Sequence, residues 1–127
     1  MVSQLFSFQF YTNYDKALIK SREKNKPIFL MILSSNCPHC INFTKSLIKK
    51  YEVLNYIQSN FITLLIDITE NNHIPPYIDY NGFVPYFVVL LPNGYQLAPS
   101  IKGEIDINSL YDYLYNSLIL YRKLLKN

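Results

Sequence analysis

The 127-residue sequence lacks the features that define several classes of protein. Its two cysteines are too few for the disulfide scaffold of a small secreted protein. Its longest apolar runs, PIFLMIL and VPYFVVLLP, are far shorter than the roughly 20 residues that cross a bilayer. The net charge of +3 is small and the lysines are scattered, a pattern typical of solvated helix faces rather than of a phosphate-binding stripe. We therefore expect no membrane span and no nucleic acid partner.

We also expect no secretory leader within this sequence. Residues 1–11, MVSQLFSFQFY, have no basic start, no long apolar stretch and no small-residue cleavage site. Two interpretations remain open: a cytoplasmic protein, or a periplasmic or cell-envelope protein whose leader has been removed. Half of the residues are hydrophobic and 17% are charged, so we expect one globular domain over residues 1–127.

Short apolar runs alternate with helical patterns along the chain. IFLMIL, FITLLID and PYFVVLL are typical of buried strands, and FSFQF alternates as a shorter strand would. Thr12 and Asp15 fit a capping box at the start of a helix. PNG predicts a hairpin turn with YQLAPSI as the partner strand, and apolar spacing after Asp106 predicts a closing helix with Asp106 as its N-cap. This order predicts an α/β fold, a central mixed sheet with helices on both faces.

The two cysteines lie in the stretch SSNCPHCINF, between a buried strand and a helical pattern. Functional sites concentrate at such junctions in α/β folds. The free N–H groups and the dipole of a helix start favour a thiolate, which makes Cys37 the expected nucleophile. Cys40, one turn later, is near enough to form a disulfide and is expected to face the core. Pro38 suits the first helical turn, and a protonated His39 would favour the thiolate further.

A zinc site is a weaker interpretation of the same residues. A structural zinc needs four ligands, and this chain offers only Cys37, Cys40, His39 and His73. His39 lies between the cysteines and could hardly join them on one tetrahedral ion. The acidic residues offer no catalytic pair, and Asp67, at the end of a strand, is more simply a loop or cap residue. We expect no metal and no cofactor.

Four segments carry a resemblance to a known family: KPIFLMILSSNCPHCINFTKSLI, FITLLIDI, GFVPYFVVLLPNG and IKGEIDINSLYDYL. Over roughly residues 10–120 the chain resembles the thioredoxin superfamily, in particular the Dsb-type proteins of bacterial envelope redox systems. The resemblance implies the thioredoxin fold and thiol:disulfide oxidoreductase activity. Cys37 would form a mixed disulfide with a protein substrate and Cys40 would resolve it. It also implies a cis bond between Val84 and Pro85, where the Val84 backbone would pair with a substrate strand.

The direction of the reaction depends on residues around the cysteines. Pro38 and His39 form the dipeptide found in the strongly oxidising relatives, where a stabilised thiolate makes the disulfide a better oxidant. The chain departs from its relatives at Asn36, where thioredoxins carry tryptophan, and at Met31, where a buried acid would take the proton from Cys40. It also lacks the helical insertion of the donor-type oxidases. These residues predict an oxidoreductase that leans towards oxidation.

Two other functions remain open. Because the acid is missing at Met31, the chain fits a redox-weak, chaperone-like module that binds extended peptides through the Phe83–Tyr86 edge. An isomerase is less favoured, because isomerases of this superfamily usually join two catalytic domains through a dimerisation domain. Tyr86 could floor the substrate groove or belong to the core. The expected partners are protein thiols or disulfides and a recycling redox protein, and we expect a monomer.

Overall fold

The computed structural model describes residues 8–70 and 73–126. Within these ranges four helices and four strands follow one another: α1 (Tyr14–Lys24), β1 (Ile28–Leu33), α2 (Pro38–Ile48), α3 (Tyr51–Asn60), β2 (Ile62–Asp67), β3 (Tyr86–Leu90), β4 (Ile101–Lys102) and α4 (Ile107–Leu125). The strands form one sheet in the order β2-β1-β3-β4. Strand β1 runs parallel to β2 and antiparallel to β3, and β3 runs antiparallel to β4. The predicted mixed sheet is therefore confirmed.

Apolar side chains cover both faces of the sheet. Because successive side chains of a strand point to opposite faces, β1 supplies alternate residues to two clusters. Phe29, Met31 and Leu33 pack with α2, α3 and α4, whereas the other three residues of β1 pack on the side of α1. Every side chain of β1 is fully buried, which explains why IFLMIL is a continuous apolar run rather than an alternating one.

The first helix begins at a different cap from the one predicted. Its N-cap is Asn13, whose side chain accepts a hydrogen bond from the Lys16 N–H at 2.9 Å. The capping box of Thr12 and Asp15 was therefore wrong, because the asparagine one position later is at least as good a cap. The N-cap predicted at the other end of the chain is confirmed, since Asp106 accepts from the Ser109 N–H at 2.9 Å.

Two predicted strands differ from the structure. In YQLAPSI, Gln96 forms only an isolated bridge with Leu90, and regular pairing with β3 begins at Ile101. Pro99 lies between them and has no N–H to continue the ladder. The first two residues of FSFQF lie outside the described residues. Its described residues, 8–10, belong to no strand; Tyr11, which follows them, forms a single parallel bridge with Leu64, beside the edge of β2. No helix of the described ranges has the length and apolar character needed to cross a membrane.

Candidate active site

Cys37 is the N-cap of α2, just beyond the turn that leaves β1. Its backbone is extended, and its Sγ accepts a hydrogen bond from the Cys40 N–H at 3.1 Å. The Cys37 N–H donates to the Ser34 carbonyl at 3.2 Å, which closes the turn. Pro38 is exposed at the first helical position, where a missing N–H costs nothing. The sulfur of this partly exposed residue therefore lies at the positive end of a helix with a backbone donor directed at it.

Cys40 is fully buried beneath the first turn of α2, facing the core as predicted. Both thiols are free. Burial raises the pKa of Cys40 to about 12, assisted by its hydrogen bond with Cys37, while the Ser34 backbone acts in the opposite direction; the charges of Cys37 and Asp67 raise it further. The two sulfurs therefore differ in access, and Cys40 remains a thiol at neutral pH.

The loop before β3 faces Cys37. The Val84–Pro85 bond is cis, and the Val84 carbonyl oxygen lies 3.8 Å from the Cys37 Sγ. Val84 is partly exposed and Pro85 is buried, while the preceding Phe83 is 67% exposed. The Pro85 carbonyl accepts from the Gly103 N–H at 2.8 Å, which ties this loop to the end of β4. The structure thus brings together residues that lie 47 positions apart.

His39 is exposed on the first turn of α2 and contacts a residue that sequence reasoning missed. Its Nδ1 lies 2.7 Å from Oε1 of Glu104, in the connection between β4 and α4. The two residues are 65 positions apart and both side chains are largely exposed, so no local pattern links them. The effect of His39 on Cys37 stays a prediction.

Asp67 is a buried carboxylate at the end of β2, the strand next to β1. Strand β1 holds Met31, at the position where the relatives carry their acid. Met31 is fully buried in the apolar cluster that includes Cys40. Asp67, at the end of β2 and in register with Leu33, is 6% exposed. The only sequence signal for it is an acid that ends an apolar strand.

Three donors satisfy the Asp67 carboxylate. It accepts from the Ser35 Oγ at 2.5 Å, from the Thr69 N–H at 3.0 Å and from the Thr69 Oγ at 2.6 Å. Burial acts to raise the pKa of Asp67, but the hydrogen bonds from Ser35 and Thr69 hold it below its ordinary value. Asp67 is therefore an ionised, buried group, and its bond from the Thr69 N–H is the cap role predicted from the sequence.

Tyr86 belongs to the core and does not floor a groove. Its side chain is fully buried, and its hydroxyl donates to Oδ1 of Asp79 at 2.7 Å. Burial, the hydrogen bond to Asp79 and the charge of that carboxylate all raise the pKa of Tyr86. Exposed aromatic surface near the site comes instead from Phe83.

Metal ligands do not gather in the part of the chain that the structure describes. No group of three or more His, Cys, Asp or Glu side chains that could hold a metal ion occurs within residues 8–70 and 73–126. His73, the second histidine, is exposed in the loop that follows β2.

A mixed sheet with helices on both faces and a Cys-x-x-Cys pair at the start of a helix defines the thioredoxin class of folds. Residues 9–92 match a family model described as thioredoxin-like. Since this match covers more than half of the chain, the protein belongs to the thioredoxin-like family. The resemblance to the thioredoxin superfamily and the fold class predicted from the sequence are confirmed.

Solved structures share this fold, and a known protein aligns with most of the chain. The chain is similar to a DsbH oxidoreductase, with 22% identity, a TM-score of 0.67 and coverage of 89% of this chain and 85% of that one. It is also similar to a thioredoxin from Thermus thermophilus, with 14% identity, a TM-score of 0.66 and coverage of 86% of each chain. The chain is 25% identical over 109 residues to Anterior gradient protein 1 of Xenopus laevis. That match covers 84% of this chain but only 56% of the relative, so the chain spans about half of its length.

Proposed function

We propose that the chain is a thiol:disulfide oxidoreductase that exchanges a Cys37–Cys40 disulfide or dithiol with protein substrates. One observation carries this proposal: the Sγ of a partly exposed Cys37, at a helix start, lies 3.1 Å from the backbone nitrogen of a buried Cys40. Such an exchange requires a nucleophile that a partner can reach and a second thiol that the partner cannot reach. Membership of the thioredoxin-like family supports the same reaction.

The reaction follows from the difference between the two sulfurs. The Cys37 thiolate attacks a substrate disulfide, so that the substrate S–S bond breaks, one substrate sulfur leaves as a thiolate and the other is joined to Cys37. Cys40 then loses its proton and attacks the Cys37 sulfur, which releases the second substrate thiolate. The substrate gains two electrons and the cysteine pair is oxidised. Read in reverse, the same steps oxidise a substrate dithiol.

Cysteine variants test this proposal with a model protein disulfide as substrate. Cys37→Ser should abolish exchange, because no accessible nucleophile remains. Cys40→Ser should accumulate a mixed disulfide on Cys37 that mass spectrometry detects and a small thiol releases. Ser46→Ala, an exposed change on the same helix, should leave turnover unchanged. A folded parent protein that turns over no disulfide would sink the proposal.

The proposed direction is oxidation of substrates. The free N–H groups at the start of α2 together with Pro38 and His39 favour the reduced form, which makes the disulfide a stronger oxidant. Equilibration of the cysteine pair with glutathione buffers measures this directly. A reduction potential near about −120 mV supports an oxidant, whereas one near about −270 mV, as in thioredoxin, favours a reductant.

The substrates that we propose are extended segments of protein chains that carry a thiol or a disulfide. Such a segment would pair with the Val84 backbone while its cysteine meets Cys37, whose Sγ lies 3.8 Å from the Val84 carbonyl oxygen. Phe83, 67% exposed, would offer an apolar contact beside it. A second redox protein must recycle the pair.

Peptide binding without exchange is the second candidate, and the exposed Phe83 favours it. A variant with both cysteines changed to serine isolates binding from chemistry, and fluorescence anisotropy with an extended peptide measures its affinity. Phe83→Ala should weaken that binding, whereas Tyr95→Ala, at a residue that is also exposed, serves as the matched control. If binding persists and the parent protein exchanges no disulfide, the chain is a binding module.

A further inference from the structure

The Val84 loop, residues 79–85, faces Cys37 and is closed at its base by one carboxylate. We propose that Asp79 is a positioning residue for protein substrates, which holds the Val84 backbone opposite Cys37 before a substrate chain arrives. It does so by binding Tyr86, just beyond the other end of the loop, and by fixing both ends to β4. This inference rests on the proposed exchange reaction, and Asp79 acts through the loop without contacting substrate.

Direct contacts join Asp79 to three parts of the chain. The Tyr86 hydroxyl donates to its Oδ1 at 2.7 Å, and the Ser100 hydroxyl donates to its Oδ2 at 3.0 Å. The Lys102 Nζ lies 3.5 Å from the same Oδ2, and the Asp79 N–H donates to the Gln96 Oε1 at 3.3 Å. Tyr86 and Lys102 are themselves partners in the register of β3 with β4. Asp79 therefore fixes the start of the Val84 loop to the two strands that meet at its end.

The tip of the Val84 loop gains little from packing. Asn81, Gly82 and Phe83 are all exposed. The Phe83 N–H donates to the Asn81 Oδ1 at 3.4 Å, which is a long bond within the loop itself. The ring of Tyr80, by contrast, packs edge-on against that of Tyr86 with their centroids 5.1 Å apart, at the base of the loop. Because the tip is exposed, we expect its position to depend on the contacts at the base.

The base of the loop lies close in sequence to the backbone that a substrate would use. Tyr86 follows Pro85 directly, and the Pro85 carbonyl accepts from the Gly103 N–H at 2.8 Å. Loss of the bond between Tyr86 and Asp79 would release the start of the loop, while the Gly103 bond still holds its end. Val84 would then occupy several positions, and a substrate would bind more weakly in proportion to the fraction of molecules with the competent one.

The carboxylate is charged at neutral pH, when its hydrogen bonds are strongest. The bond from Tyr86 is the main cause that holds the pKa of Asp79 below its ordinary value; burial opposes it, and Ser100 and Lys102 add to it. The Asp79 side chain is 49% exposed, so water can solvate it when Tyr86 no longer donates. We therefore expect the loss of this bond to loosen the loop while the protein stays folded.

Steady-state kinetics with two substrates test the positioning role, with glutathione as the recycling reductant. An extended peptide that contains a disulfide uses the Val84 backbone, whereas a small aromatic disulfide needs only the Cys37 sulfur. Asp79→Ala and Tyr86→Phe should raise KM for the peptide about fivefold and leave kcat unchanged, because binding is lost and chemistry is not. Their rates with the small disulfide should equal that of the parent. Asp79→Asn, which keeps an acceptor for Tyr86, should recover most of the affinity.

Peptide binding without exchange provides a second measurement that does not depend on the proposed function. With both cysteines changed to serine, fluorescence anisotropy should give a dissociation constant for the peptide about fivefold larger in Asp79→Ala and in Tyr86→Phe. Asn13→Ala, which removes the N-cap of α1, is the control for destabilisation and should leave this constant unchanged. If Asp79→Ala fails to fold, Tyr86→Phe, which keeps the ring and its packing, is used for both measurements.

Each outcome decides one question. A KM and a dissociation constant that stay at the parent values in Asp79→Ala and Tyr86→Phe overturn the inference. An equal loss of rate with the small disulfide, or an equal loss of affinity in Asn13→Ala, also overturns it, because either reveals a general structural effect. A serine background that binds no extended peptide overturns it as well. A parent protein that binds the peptide but exchanges no disulfide refutes the proposed function instead, and the anisotropy still reports whether Asp79 governs binding.

Discussion

Removal of one buried hydroxyl should destabilise this protein in a pH-dependent way. Tyr86 is fully buried at the start of β3, and its hydroxyl donates to Asp79 at 2.7 Å. Asp79 also accepts from the Ser100 hydroxyl at 3.0 Å and lies 3.5 Å from the Lys102 ammonium group. Tyr86→Phe keeps the ring and its packing, so the loss should come from this hydrogen bond.

The magnitude follows from the exposure of the acceptor. A hydrogen bond to a charged group contributes about 1.5–3 kcal/mol. The Asp79 side chain is 49% exposed, so water can replace the lost donor and the lower end applies. We expect Tyr86→Phe to lower the free energy of unfolding by about 1.5 kcal/mol at pH 7, which for a chain of this size lowers the melting temperature by about 6 °C.

The stability lost in Tyr86→Phe should depend on pH, in a direction that follows from the pKa of Asp79. The hydrogen bond from Tyr86 is the main cause that lowers the pKa of Asp79 below its ordinary value of 3.8. A carboxylate with a lowered pKa in the folded state contributes stability above its unfolded pKa, and that stability is lost as the pH falls through the folded value. The difference between parent and variant should therefore be largest above about pH 5 and should shrink towards pH 2.

Urea unfolding of four proteins tests the reasoning: the parent, Tyr86→Phe, Asp79→Asn and the double variant. The double-mutant cycle should give a coupling energy of about 1 kcal/mol at pH 7 that declines in acid. Tyr77→Phe, at an exposed ring stacked on Tyr95, should change stability by less than about 0.5 kcal/mol. A Tyr86→Phe variant as stable as the parent at pH 7, or a cost independent of pH, would refute the argument.

Further predictions concern the N-cap of α4, the exposed pair of His39 and Glu104, and two buried positions near the cysteines, Met31 and Asp67. Asp106→Ala should lower the urea concentration at the midpoint of unfolding, because α4 loses its N-cap. Glu104→Gln should change it by less than about 0.5 kcal/mol, since its pair with His39 is largely exposed. Met31→Asp should cost more than about 3 kcal/mol at pH 7 and less at pH 4, because burial would raise the pKa of the new carboxyl. Stability contributed by Asp67 should persist above its unfolded pKa of 3.8 and decline below it, as thermal unfolding of Asp67→Asn and the parent across pH would reveal.

Strands that are buried on both faces could be predicted closely from the sequence. The run IFLMIL corresponds residue for residue to β1 (Ile28–Leu33), because a strand covered on both faces must be apolar at every position. The edge of the sheet was predicted less well. Pairing of β4 is short and depends on where Pro99 interrupts the backbone ladder, and a residue pattern with period two does not encode that interruption.

In the candidate site, residues placed by local sequence patterns could be predicted, whereas residues brought in from distant elements could not. Cys37 and Cys40 are placed by a strand and a helix that both have strong local patterns, so their juxtaposition followed from the sequence. Glu104 and Asp67 reach the site only through the pairing of distant elements. An acid at the end of a strand is most often a cap or a loop residue, and only the register of β2 with β1 brings Asp67 beside the turn before Cys37.

The rate and the direction of the proposed exchange should respond to different residues. A pKa of about 12 for Cys40 leaves about one molecule in 10⁵ with that thiolate at pH 7, too few to stabilise the reduced form. The reduction potential at neutral pH should therefore depend on the surroundings of Cys37, the start of α2 with Pro38 and His39. The rate of attack by Cys40 is proportional to that small thiolate population, so the burial of Cys40 should limit the rate of resolution. We expect His39→Ala to change the potential against glutathione while the rate of resolution stays near the parent value, and a change in the rate as large as the change in the potential would show that one group governs both sulfurs.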